Sequence, residues 1–149
     1  MTVRHPTFSD LPRDETFALL ERNHVGRLAF TFHDRVDIEP ISYVFASDWV
    51  YARTSEGTKL STIRHHPWVA FEVDEVTSRV DWRSVVVRGT IYFLDPERGE
   101  QEREEYNDAA ELLRSIDHGA LTDADDTPFR HVIFRIHADE ITGRQASSR

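Results

Sequence analysis

Cysteine is absent from this chain of 149 residues, which excludes disulfides, thiol chemistry and thiolate metal sites. No apolar run is long enough to span a bilayer, and the opening MTVRHPTFSD lacks the apolar centre of a signal peptide. Internal repeats, low-complexity segments and a dinucleotide fingerprint are missing too. Positive charge is scarce: 18 Lys and Arg stand against 27 Asp and Glu, a net −9. That argues against a nucleic-acid partner, because phosphate backbones are held by basic surfaces. The location expected is cytoplasmic, with neither membrane nor nucleic acid as a partner. Much of the acid lies in residues 97–111 and 123–126, so a basic pocket can persist elsewhere. No histidine or carboxylate cluster has metal-ligand spacing, and no metal is expected. His131 and His137, six residues apart, are too distant for a simple chelating pair.

With 39% hydrophobic and 30% charged residues, the chain reads as one globular domain over 1–149, with loose termini at 1–8 and 143–149. The most informative stretch is WVYARTSEGTKLSTIRHHPWVAFEVD, residues 49–74. A β-branched and aromatic run predicts a strand over 49–54. Leu60 and Ile63 share one face of a short helix, Pro67 stops it, and WVAFEV opens another strand. A helix start presents unpaired N–H groups and a partial positive charge. Here it gathers the hydroxyls of Thr54, Ser55 and Thr58 and the cations of Arg53 and Lys59, the composition of a phosphate site. The local alternative is that Ser55 only caps the helix, Gly57 turns the chain and Lys59 is a solvated charge.

The rest of the chain predicts mostly strands. A helix capped at Ser9 or Asp10 should end near Asn23. VGRLAFTFH, residues 25–33, alternates as a half-buried strand does. A second strand covers 36–45, with Pro40 implying an edge or irregularity. After strand 68–74 and a polar loop over 75–81, a long strand covers 82–94, bent at Gly89. Asp95-Pro96 opens a helix to about Asp117, a loop follows, and the last strand covers 129–137. Six strands, mostly in hairpin order, predict a mainly β fold: a six-stranded antiparallel barrel with flanking helices.

GRLAF, PISYVF, the 49–74 stretch, WRSVVVRGT and ITGR, in that order, resemble the pyridoxamine 5'-phosphate oxidase-like family. These are FMN-binding split β-barrels, and the resemblance is nearest to their small, nitroimidazole-reductase-like branch. It implies a homodimer with FMN between subunits and a small-molecule substrate. By resemblance, Arg53, Thr54, Thr58 and Lys59 hold the phosphate. The flavin ring lies along Pro40, Ile41, Ser42, Tyr43 and Val44, and Trp82, Arg83, Ser84 and Val85 reach its pyrimidine edge. Redox chemistry then belongs to the flavin, and no side chain need act as nucleophile. The function implied is electron transfer between a reduced nicotinamide and a small organic molecule. The chain has no counterpart of the founding enzyme's C-terminal substrate-phosphate residues, so pyridoxamine phosphate oxidation is not implied. Rival readings keep the fold but bind the deazaflavin F420 or haem, or make the chain a non-enzymatic flavin-binding or interaction protein. His65 or His66 would be a proton donor or haem ligand, or else a histidine favoured by a helix C-terminus. Trp49, Trp68 and Trp82 would stack on a flavin or fill core and interface. Arg88 would line the groove or pair with an acid. Arg144 would touch a partner subunit or fray with the tail.

Overall fold

Alternation governs the first long strand of the computed structural model, which describes residues 5–148. β2 (Val25–Phe32) follows β1 (Thr7–Asp10) and α1 (Arg13–Arg22). It buries Gly26, Leu28 and Phe30 and turns Arg27, Ala29 and Thr31 outward. His33 and Asp34, both at positive φ, reverse the chain as the favoured two-residue hairpin turns do. β3 (Arg35–Ser42) returns along β2 with Pro40 opposite Arg27. β3 is the outer strand of its sheet path, where a missing N–H donor is tolerated. Tyr43 then breaks the run before β4 (Val44–Ala46). Its side chain is fully buried, its hydroxyl donates to the Leu20 carbonyl at 2.7 Å, and its ring meets Phe71 edge-on at 4.8 Å. Burial pushes its phenol pKa up.

β5 (Trp49–Thr54), α2 (Thr58–His65), β6 (Trp68–Ser78), β7 (Asp81–Leu94), α3 (Glu100–Arg114), β8 (Val132–His137) and β9 (Glu140–Ser147) complete the order. The main path is β3-β2-β6-β7-β8-β5-β4, every pair antiparallel. The split falls at β7. One edge of β7 pairs with β6 over Asp81–Thr90; the other pairs with β9 over Trp82–Arg88 and with β8 over Ile91–Leu94. Gly89 sits at the changeover, where an added Cβ would lie 1.8 Å from the His137 carbonyl oxygen. Only glycine lets the two backbones approach so closely. The result is an antiparallel split barrel with three helices. Phe71, Val73, Val85, Val87, Phe134 and Ile136 fill its core, each no more than 2% exposed.

All six expected strands are present, the second divided into β3 and β4, and β1 and β9 are additional. Strands reach into both of the stretches expected to be loose. Thr7 to Asp10 pair with Ser147 back to Arg144, and Arg144 binds Asp10 at 2.6 Å. Residues 1–4 and 149 lie outside the described residues. Ser9 and Asp10 belong to β1 and do not cap α1; Pro12 occupies that position. The expected 75–81 loop is mostly strand, because β6 runs to Ser78 and β7 starts at Asp81. Asp95 accepts from the Glu97 amide at 3.0 Å, so Asp95-Pro96 makes a turn, and the helix starts only after Gly99, at φ 142. Among the described residues no helix is long and apolar enough to cross a membrane.

Arg22 joins α1 to the barrel through two hydrogen bonds to Glu75, at 2.6 and 2.8 Å. That guanidinium, with burial opposing it and Asn23 assisting, lowers the Glu75 carboxyl from 4.5 to about 2. A depressed folded-state pKa stabilises above the unfolded value and stops doing so as pH falls through the folded one. Glu75→Gln is therefore expected to destabilise by less than about 1 kcal/mol at pH 7, as befits a half-exposed pair. The difference in urea midpoint from wild type should shrink between pH 4.5 and pH 2.

Candidate functional site

The turn from β5 into α2 carries the candidate site. Gly57 is extended there, and α2 begins at Thr58 with no side-chain capping hydrogen bond. Leu60 donates to the Gly57 carbonyl at 3.2 Å. The helix start thus faces solvent-accessible space with its N–H groups uncapped by any side chain. Ser55 is not the cap.

Two cavities meet at this turn. The first, about 350 Å³, has an apolar floor of Phe30, Phe32, Ile91, Phe93 and Phe134. Thr54, Ser55, Thr58 and Lys59 stand on its rim. The second, about 560 Å³, lies beside β3 and is more polar: Pro40, Ser42, Arg53, Asp117, Asp126 and Thr127 contribute to it, with Leu113, Ile116 and Phe129. Glu39, Ile41, Thr54 and Ser55 line both. The expected phosphate residues Thr54, Thr58 and Lys59 are therefore together, and Pro40, Ile41 and Ser42 lie next to them.

The two cations differ. The Lys59 ammonium is 2.7 Å from Glu39 and 3.1 Å from Asp37. These carboxylates raise its pKa. All three side chains are more than a third exposed, so the pairs are weak and can yield to a ligand anion. Arg53 is 11% exposed and clamps Asp125, itself 3% exposed, through bonds of 2.6 and 3.2 Å. It also reaches Asp117 at 3.0 Å and the Thr127 hydroxyl at 3.2 Å. Arg53 foremost, then the Leu121 and Thr127 amides, hold the Asp125 carboxyl well below the usual range. Its guanidinium is bonded to residues 117–130, and Arg53 stands in the wall of the second cavity. Pairing over 72 residues of sequence separation left no local trace.

The remaining expected residues sit apart. Tyr43 is in the core, with its amide and carbonyl both engaged by His24. Val85 is also core. Trp82, Arg83 and Ser84 line neither cavity of their own chain. Trp82 packs on Phe8 at 6.3 Å. Ser84 donates to Glu72 at 3.0 Å, whose carboxyl is raised by burial. His65 and His66 end α2 away from both cavities; His65 lies 2.8 Å from the Ser61 carbonyl. Trp49 packs between His137 and Tyr92, and Arg88 reaches Thr142. Among the described residues no group of three or more potential metal ligands occurs. Sequence reasoning missed Glu39, Asp117, Asp125 and Phe129. The only signal was the D-x-T turn at 125–127, where Asp125 accepts from the Thr127 amide at 2.9 Å.

The model of the pyridoxamine 5'-phosphate oxidase family matches residues 12–145. The chain belongs to that family. Among solved structures, this pyridoxamine 5'-phosphate oxidase family member is similar to a FAD-binding protein from Mesorhizobium loti. The two are 29% identical with a TM-score of 0.75, over 94% of this chain and 99% of the other. The FAD-binding protein from Mycobacterium smegmatis is 29% identical, with a TM-score of 0.66 over 93% and 99%. A Bacteroides thetaiotaomicron protein named for a proposed role in 5-nitroimidazole antibiotic resistance shares the fold. It is 15% identical, with a TM-score of 0.72 over 95% and 89%. The hydroxyls, helix amides and displaceable lysine around Thr54 to Lys59 fit a flavin phosphate. The adjoining cavities offer partly apolar space with polar groups along it, the kind of lining a flavin ring needs.

Proposed function

We propose that this chain is a flavin-binding oxidoreductase. The observation that carries this reading is the shared wall of the two cavities. There the Thr54 and Ser55 hydroxyls, the uncapped start of α2 and Lys59 converge beside Ile41 and Ser42. The family and the FAD-binding relatives support it. Thr54, Ser55, Thr58 and Lys59 hold the phosphate, and the β3 segment Pro40 to Ser42 orients the ring. The flavin, as FMN or a larger flavin nucleotide, supplies two-electron chemistry between a reduced nicotinamide and a small organic acceptor.

A second copy of the chain completes the proposed site. Val36, Ile38, Trp68 and Val76 are 82%, 62%, 53% and 66% exposed. By strand register they share the outward face of β3, β2 and β6. Trp82 and Ser84 lie on the same face, opposite Val76 and Asp74. An exposed apolar face of this kind suits an interface between copies, and there Trp82 and Ser84 would meet the neighbouring protomer's flavin.

The test is a visible spectrum of the protein after incubation with flavin and gel filtration. Flavin absorbance should co-elute with the protein. Lys59→Ala should loosen the flavin about tenfold, the loss of one charged hydrogen bond to the phosphate. Protein that never retains flavin, or a variant with unchanged affinity, would refute the assignment.

A further inference from the structure

Lys59 is the second residue of α2, and no acidic residue stands in the first turn of that helix. A helix start favours negative groups and disfavours cations, so the ammonium needs a counter-charge from elsewhere. It finds one on the outer strand β3. Asp37 and Glu39 stand two apart there and so share one side of the strand. Lys59 donates to Glu39 at 2.7 Å and lies 3.1 Å from Asp37. The other Asp37 oxygen accepts the Ile38 amide at 2.9 Å, which helps to hold that carboxylate in place. Among the described residues lining the first cavity, Glu39 and Glu56 are acidic and Lys59 is basic. The lining therefore carries more negative charge than positive at the turn where a phosphate is proposed to sit.

A phosphate arriving at Thr54, Ser55 and Thr58 meets a lysine that is already answered. An ammonium has three N–H donors, so a phosphate oxygen can join before a carboxylate leaves. It then stands beside two like charges, which disfavour it. If a carboxylate does leave, the bond it made is given up. By either route Asp37 and Glu39 weaken the hold on the phosphate. We propose that these two residues set the affinity of the site: they are internal rivals of the ligand's phosphate for Lys59 and keep that affinity below what the turn could reach. The inference rests on the flavin reading above and deepens it by naming what the phosphate must displace.

Calorimetric titration of the full chain with FMN and with riboflavin, which lacks the phosphate, gives a readout independent of turnover. Exposed ion pairs are each worth a few-fold in a binding constant, so Asp37→Asn and Glu39→Gln should each tighten FMN about threefold, and the double variant about tenfold. Riboflavin affinity should stay within about twofold of wild type in all three, which also shows that they are folded. In a Lys59→Ala background the double change should lose most of its effect on FMN, because the contested group is gone. FMN affinity that is unchanged or weaker in the double variant would overturn the proposal and leave the flavin reading intact, since the carboxylates would then only hold the lysine in place. Riboflavin that tightens in step with FMN would overturn it too, because the effect would not pass through the phosphate. So would a gain that survives in full without Lys59, which would mark plain repulsion. Wild type and variants that bind neither flavin would sink both readings together.

Discussion

Gly89→Ala is expected to destabilise the protein by about 3 kcal/mol or more, the upper range for inserting a methyl into closed packing. In a domain of this size that corresponds to a fall of about 10 °C in Tm. The reason is geometric. The new Cβ would sit 1.8 Å from a carbonyl oxygen of the neighbouring backbone, and backbone cannot swing aside as a side-chain tip can. Relief requires β7 to part from the end of β8, and with it the point where the barrel divides. Gly57→Ala is the control. Nothing lies within 4 Å of its added Cβ, and its backbone is extended, so Tm should stay within about 2 °C of wild type. Thermal melts followed by near-ultraviolet circular dichroism separate the two outcomes. A Gly89→Ala protein melting with the wild type would show that the backbones are not held together there.

Arg53→Ala should have the second-largest effect, a fall in Tm of about 10 °C. It strips the partner from Asp125, a carboxylate with 3% exposure, and unties Asp117, Thr127 and the Arg130 carbonyl at one stroke. The loss depends on pH in a definite sense. Asp125 titrates well below an ordinary carboxylate when folded. The pair therefore stabilises fully at neutral pH, and its contribution fades only in strong acid, as pH falls through that depressed value. Wild type and variant should differ most near pH 7 and converge toward the acid limit. Hydrogen exchange would locate the damage: amides of residues 117–130 should lose protection while those of β6 and β7 keep theirs. Arg53→Ala with wild-type exchange in that segment would contradict the clamp. Lys59→Ala, whose pairs are exposed, should scarcely move Tm.

These two residues also mark how far the sequence could be read. Strand alternation in VGRLAFTFH and the strand–turn–helix of residues 49–65 are local signals, and both survive in the structure. The grouping of Thr54, Thr58 and Lys59 was legible for the same reason: six consecutive residues hold it together. Gly89 announced a bend, but not that two strands exchange places across it. EITGRQAS has the composition of a polar tail and carries no strand signal of its own. It becomes β9 because β1 on one side and β7 on the other satisfy its backbone. Arg53 was legible as a cation beside hydroxyls, and its commitment was not, because Asp125 reaches it only after the chain has folded. Local composition grouped hydroxyls and cations at the β5–α2 turn; only tertiary structure separated the exposed Lys59 from the captive Arg53.

The pairing of β1 with β9 bears on how the protein is made. Thr7 finds Ser147 and Asp10 finds Arg144, partners separated by nearly the whole chain. Contacts of such high order form slowly. On the ribosome, the first strand emerges long before its mate exists. A nascent chain must therefore carry that early segment unmatched until residues 144–147 have been made, and the barrel cannot close at this seam before then.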